Sequence, residues 1–228
     1  MMAMTEAERS DLLSKHFEPW DGFNDEDKRD LLAHSMSVTY PKGTNLHAGE
    51  ANCQGLFLIV KGSLRAYLLS ESGKEVTLYR LGPGDMCVLS ASCVLSTITF
   101  DVHVDTEEET QLLLIRATFF EALSERNKDV ECWAYRMASE RFSEVMWAMQ
   151  QILFMSMDKR MAIFLWDEMS RTKSDTLKIT HEQAARYVGS AREVVTRMLK
   201  YFSTEGIVEV SRGGIRILDK AKLFELTQ

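Results

Sequence analysis

ITHEQAARYVGSAREVVTRMLKYFSTEGIVEVSRGGIRIL, residues 179–218, holds two short helical patterns with a glycine between them and then two β-rich runs. Thr180 stands before the first pattern with Gln183 three residues on, the capping-box spacing in which two side chains satisfy two of a helix's free amides. Gly189 falls where a left-handed residue is needed to stop that helix, and Ser190 is placed to cap the next. In the second helix Val194, Val195, Met198, Leu199 and Phe202 form an inward stripe, leaving Arg192, Glu193, Thr196, Arg197 and Lys200 on the other side. IVEV, SRGG and IRIL read as a hairpin that turns on two glycines. A helix pair followed by a small hairpin is a winged helix-turn-helix arrangement.

Working outward, DKRMAIFLWDEMS predicts a helix and TLKIT a short strand ahead of this segment. Upstream again, residues 127–155 contain neither proline nor glycine and predict one long helix. Along it Ala134, Ala138, Phe142, Val145, Met149 and Ile152 recur at spacings of four and three, close to the 3.5 average of a coiled-coil seam. That face is expected to meet a second copy of the chain, the alternative being a core helix of a monomer, and the later turns VMWAMQQILFMSM, apolar on more than one face, are expected to touch both a partner helix and their own domain. Between residues 36 and 117 short β-rich runs alternate with turn signals, ESGK and GPGD being the clearest. Many short strands without intervening helices predict an antiparallel barrel or jelly roll. The expected organisation is α+β: a sensory barrel with a helical lead-in over 1–126, a dimerisation helix over 127–155 and a winged helix-turn-helix over 156–228.

The formal net charge of −7 speaks against a chain that coats nucleic acid indiscriminately. The charge is unevenly spread, because residues 156–228 carry 13 Lys and Arg against 10 Asp and Glu. No run approaches the ~20 apolar residues of a membrane span, and MMAMTEAERS lacks the apolar stretch of a secretion signal, so no membrane role and a cytoplasmic location are expected. Cys53, Cys87, Cys93 and Cys132 include no C-x-x-C pair, and His16, His34 and His47 show no ligand spacing, so no metal is expected. No nucleophile-elbow, P-loop or zinc-protease motif is present, and the chain is not expected to be an enzyme.

The segment 179–218 resembles the winged-helix domain of the cyclic AMP receptor and FNR (Crp/Fnr) superfamily of bacterial transcription regulators. The resemblance rests on Thr180, Gly189 and the R-E-x-x-x-R of Arg192, Glu193 and Arg197, and the order of barrel, long helix and winged domain agrees with it. It implies that Arg192 and Arg197 contact guanines and Glu193 a cytosine, with Thr180, His181 and Ser190 on the phosphate backbone. Lys200 and Arg212 are added as phosphate contacts on charge alone. Read without that context, Glu193 and Arg197 would be an i, i+4 ion pair on a solvated face. The resemblance further implies a homodimer on double-stranded DNA with a palindromic operator, and contact with RNA polymerase.

Nucleotide-binding members of that superfamily carry a glutamate and an arginine in the segment after the GPGD-type turn. This chain has GDMCVLSASCVLSTITFDVHVD there, with no arginine and no glutamate. Burying a cyclic phosphate without a counter-charge would cost several kcal/mol. A different small-molecule effector is therefore expected, in a pocket lined by Cys87, Leu89, Ser90, Cys93, Thr97 and Thr99, together with Ser92 and Ser96. The alternatives are a packed barrel that binds nothing and a haem or redox sensor using Cys87, Cys93 or His103 as an axial ligand. No other cofactor is expected.

Overall fold

The computed structural model describes residues 4–48, 55–87 and 102–228. Two compact units are present, one of residues 1–68 and 78–145, the other of 69–77 and 146–228.

In the first unit two helices, α1 (Glu6–His16) and α2 (Asp25–Ala33), precede the sheets, each opened by a side-chain cap from Thr5 or Asn24. Among the described residues eight strands follow: β1 (Ser35–Tyr40), β2 (Asn45–Ala48), β3 (Gly55–Lys61), β4 (Leu64–Leu69), β5 (Glu75–Leu81), β6 (Met86–Cys87), β7 (His103–Thr106) and β8 (Thr110–Arg116). They form two four-stranded sheets, β1-β8-β3-β6 and β2-β7-β4-β5. This is the expected antiparallel jelly roll among the described residues.

The run LFLI of β3 is apolar at every position because its sheet is covered on both faces. Leu56 and Leu58 point into a core with Leu13, Phe17, Phe120 and Trp133, whereas Phe57 and Ile59 point into the core between the sheets. Period-two side-chain alternation carries a continuous apolar run into two separate cores. The outer core is closed by α3 (Ala117–Arg126) and the start of α4 (Lys128–Phe154), where Trp133 meets Phe17 edge-on at 4.9 Å.

The first half of α4 is thus a wall of the barrel unit. Ala134 is 1% exposed within that outer core and Ala138 packs against it, while Val145 packs on the core between the sheets. This corrects the expected seam at Ala134, which the unit's own core covers; Ala138 and Val145 are half-buried against the same unit, so the spacing identified apolar positions without saying what covers them. Phe142, Met149 and Ile152 of the seam are exposed, joined by Tyr135, Met146, Trp147, Leu153 and Phe154.

The second unit contains α5 (Met157–Thr172), β9 (Thr176–Leu177), α6 (His181–Val188), α7 (Arg192–Thr204), β10 (Val208–Ser211), β11 (Gly214–Ile217) and α8 (Lys220–Glu225). Its three strands form one sheet in the order β10-β11-β9. Met161, Leu165, Ala184, Val195, Leu199, Phe202 and Leu223 meet in its core. No described helix is long and apolar enough to cross a membrane.

Candidate nucleic-acid interface

The start of α6 is fixed by side chains. The Gln183 amide donates to the Thr180 hydroxyl at 3.1 Å, and the Thr180 amide donates to the Gln183 side-chain oxygen at 2.8 Å. The helix stops at Gly189, whose φ of +63° is the left-handed conformation that glycine adopts without strain. Arg160 on α5 reaches this end and donates to the Val188 carbonyl at 3.0 Å. Ser190 does not cap α7, contrary to expectation. The cap position is Ala191, which offers no side-chain acceptor, and the Ser190 amide donates to the Ala185 carbonyl to close the turn.

On α7 the buried stripe is Val195, Leu199 and Phe202; Val194 and Met198 are only partly covered, so the inward face is narrower than the sequence suggested. Arg192, Glu193, Thr196, Arg197 and Lys200 are exposed. Among the described residues the side chains of Arg192, Glu193, Arg197 and Lys200 form no ion pair or hydrogen bond, so the Glu193–Arg197 pair is not made. A charged face that the fold does not use is available to a ligand.

The wing is set by the register Val208↔Ile217 to Ser211↔Gly214, with Arg212 in its turn and a Glu209–Arg216 ion pair of 3.0 Å across the strands. Between the wing and the first turns of α6 and α7 lies an open cleft of about 430 Å³. Thr180, His181, Glu182, Arg192, Ser211 and Arg212 form its polar lining. Four expected contact residues, Thr180, His181, Arg192 and Arg212, therefore share one concavity, while Ser190, Glu193, Arg197 and Lys200 lie outside its lining. Two guanidiniums, an imidazole and two hydroxyls around a groove of this size suit an anionic, oxygen-rich polymer backbone.

The structure adds a link the sequence did not show: His181 Nδ1 lies 2.9 Å from Thr196 Oγ1, joining the first residue of α6 to the exposed face of α7. Fifteen residues separate the pair, so no local spacing signals it.

In the barrel unit Cys87 is buried on β6 and is not in a disulfide. The other expected pocket residues, Leu89, Ser90, Ser92, Cys93, Ser96, Thr97 and Thr99, lie outside the described residues. Tyr79 and Arg141, which no sequence motif marks, are both buried, with the Arg141 guanidinium 5.5 Å from the Tyr79 ring centre. The Tyr79 hydroxyl and the Arg141 Nε are buried and find no hydrogen-bond partner among the described residues. Burial holds the Tyr79 phenol well above its ordinary range, so it stays a donor. Burial opposes the charge of Arg141, but Glu144, within 2.8 Å of its Nη1, keeps it protonated.

A buried hydroxyl left unmatched costs about 1–2 kcal/mol, so Tyr79→Phe should stabilise the ligand-free protein by roughly 1 kcal/mol and raise its Tm by a few degrees. Differential scanning calorimetry measures this, and an unchanged or lowered Tm would show that the hydroxyl is satisfied. His103 stacks on Tyr67 at 5.2 Å on β7, in the sheet other than the one that holds Cys87. Among the described residues no three His, Cys, Asp or Glu side chains converge as metal ligands.

Comparison with known proteins agrees with this architecture. Residues 159–226 match the family model of the Crp-like helix-turn-helix domain, and residues 37–127 that of the cyclic nucleotide-binding domain. A crystal structure from Eubacterium rectale, assigned to the crp/fnr family of transcriptional regulators, is 42% identical, with a TM-score of 0.89 over 93% of this chain and 98% of that one. The Thermus thermophilus cyclic AMP receptor protein is 25% identical over 86% of this chain and 89% of its own length. The cAMP-activated global transcriptional regulator Vfr of Pseudomonas aeruginosa is 26% identical over 79% and 88%.

Proposed function

The chain belongs to the Crp/Fnr family of transcription regulators, and from this we infer that two copies bind one palindromic DNA operator, each through α7. The observation that carries the reading is the unpaired charged face of α7, set beside a cleft whose lining is rich in hydrogen-bond donors. Arg192 and Arg197 supply planar forks for the two acceptors of guanine, and Glu193 an acceptor for the cytosine amine. Thr180, His181, Ser190, Lys200 and Arg212 take the phosphates that set the register. Contact with RNA polymerase follows from the family resemblance, and in vitro transcription with purified polymerase tests it: unchanged transcript levels at a selected operator would sink it.

The exposed apolar residues on the second half of α4, with Phe142 62% and Leu153 65% exposed, support pairing through that helix. Selection from a random duplex pool should return inverted half-sites about 10 base pairs apart, centre to centre. The variant Phe142→Glu/Leu153→Glu should sediment as a monomer and bind the selected duplex on the order of 100-fold more weakly, because each half-site then binds alone. Asymmetric selected sites, or a dimeric double variant, would refute this arrangement.

For the effector, the relatives named above are a cyclic AMP receptor and a cAMP-activated regulator, whereas this chain lacks the glutamate and arginine of a cyclic-phosphate site. The unmatched donors of Tyr79 and Arg141, with the charge of Arg141 already taken by Glu144, support a small, weakly charged molecule bearing an acceptor atom. Its binding would bias a two-state equilibrium between DNA-competent and incompetent forms. A thermal shift with cyclic AMP, or none with any fraction of a metabolite pool, would count against this; the second outcome favours a barrel without a ligand.

A further inference from the structure

We infer that Thr196 is a positioning residue for a phosphate contact made by His181, which makes DNA binding depend on pH. The inference rests on the DNA-binding reading above and extends it to a residue that this reading leaves idle. His181 opens α6 and lines the cleft; Thr196 sits on the exposed face of α7, four residues after Arg192. Their side chains meet at 2.9 Å through the imidazole Nδ1.

The chemistry of that contact decides what the other ring nitrogen does. A threonine hydroxyl is both donor and acceptor. Against a neutral imidazole, a hydroxyl that donates to Nδ1 places the ring proton on Nε2, which then donates to a phosphate oxygen. Against an imidazolium, Nδ1–H donates to the hydroxyl oxygen, and Nε2–H donates with a full charge behind it. The hydrogen bond persists in both states, so the ring keeps one orientation while the strength of its outward donor changes. The charged groups that line the cleft with His181 are Glu182 on its own helix, Arg192 on α7 and Arg212 in the wing. The two arginines already favour a phosphate in this cleft, and protonation of His181 adds to them.

DNA binding and protonation of His181 then favour one another by linkage. Affinity for a duplex should rise as the ring takes up a proton on acidification, and that gain, not the contact itself, should disappear as pH rises and the ring returns to its neutral form. The gain is roughly 10-fold per half-site, since a charge-assisted donor is about twice as strong as a neutral one. The slope of log affinity against log salt should steepen by about 0.9 per half-site on protonation.

The test uses the full chain and a fluorescent duplex selected by the wild type from a random pool, titrated by anisotropy from pH 5.5 to 8.5 at several salt concentrations. Thr196→Val removes the hydroxyl at nearly constant shape and frees the neutral ring to turn its lone pair toward the phosphate. Its binding should be weaker than wild type by roughly 3–10-fold at the alkaline end of the titration, and the deficit should close toward the acid end, because an imidazolium donates from both nitrogens whichever way it turns. Thr196→Ser should restore the wild-type profile, and His181→Arg should bind with no dependence on pH. A lost base contact or a packing defect at Thr196 would instead give a deficit equal at both pH values, and that result overturns the inference. A wild-type profile as flat as that of His181→Arg overturns it too, while leaving DNA binding intact. If neither protein binds the duplex in a salt-dependent way, the DNA-binding reading itself fails.

Discussion

Gly214→Ala is expected to cost the winged unit about 3–5 kcal/mol, combining left-handed backbone strain with broken strand pairing. Gly214 has φ +134°, and a Cβ there would stand 2.1 Å from the Leu177 carbonyl oxygen and 3.0 Å from its carbon. Both atoms belong to the backbone of β9, so no side-chain rotation relieves the clash. β9 must part from β11, and the pairs Ile215↔Leu177 and Arg216↔Thr176 are lost. The loss is a large share of the ~5–15 kcal/mol that holds a typical domain folded. It also displaces the wall of the cleft that carries Ser211 and Arg212. Urea denaturation of the full chain should show the early melting of one unit, with DNA binding lost in parallel. Gly213→Ala is the control: a Cβ there approaches only the Ser211 hydroxyl at 3.6 Å, and its cost should stay below about 1 kcal/mol. Equal stability of the two variants would show that the wing tolerates the side chain.

Arg192→Ala/Arg197→Ala should leave the fold unchanged and weaken operator binding by about 10²–10⁴-fold. Each guanidinium that takes both acceptors of a guanine is worth about 1–3 kcal/mol, and neighbours on one helix do not add fully. Neither side chain has an intramolecular ion pair among the described residues, so unfolding curves should overlay within about 0.5 kcal/mol. Selection from a random pool should show preference lost at the base pairs these residues read. Arg212→Ala separates this from plain electrostatics: it should weaken all sequences alike and reduce the salt slope by about one. A double variant that returns the wild-type operator from selection would sink the assigned readout.

Local rules made the helix-turn-helix legible. The capping box of Thr180 and Gln183, the left-handed Gly189 and the wing hairpin each depend on residues within a few positions of one another, and all three are present. Where the chemistry depended on one position, local reading slipped: Ser190 and Ala191 are adjacent, and the cap fell on the residue without an acceptor. The dimer seam failed in part for another reason. Spacing of 3.5 reports that Ala134 and Ala138 are apolar on one side of a helix, but whether a barrel or a second copy covers them depends on residues over 100 positions away, such as Phe17. Contacts of that kind were out of reach throughout. Tyr79 and Arg141 lie 62 positions apart and carry no common motif.

The burial of Trp133 and Ala134 bears on how regulators of this build are recombined. Asn127, the break between α3 and the long helix α4, is the obvious place to splice the barrel of one protein onto the helix and winged unit of another. A graft joined there would take Val130, Trp133 and Ala134 from the donor of the helix and ask them to fill a cavity shaped by Phe17, Leu123 and Phe120 of another chain. A close-packed core of this kind tolerates changes of a methylene poorly, and of an indole hardly at all. The first compact unit runs to Val145 along the long helix, so a sensor borrowed from this protein should travel with the first half of that helix.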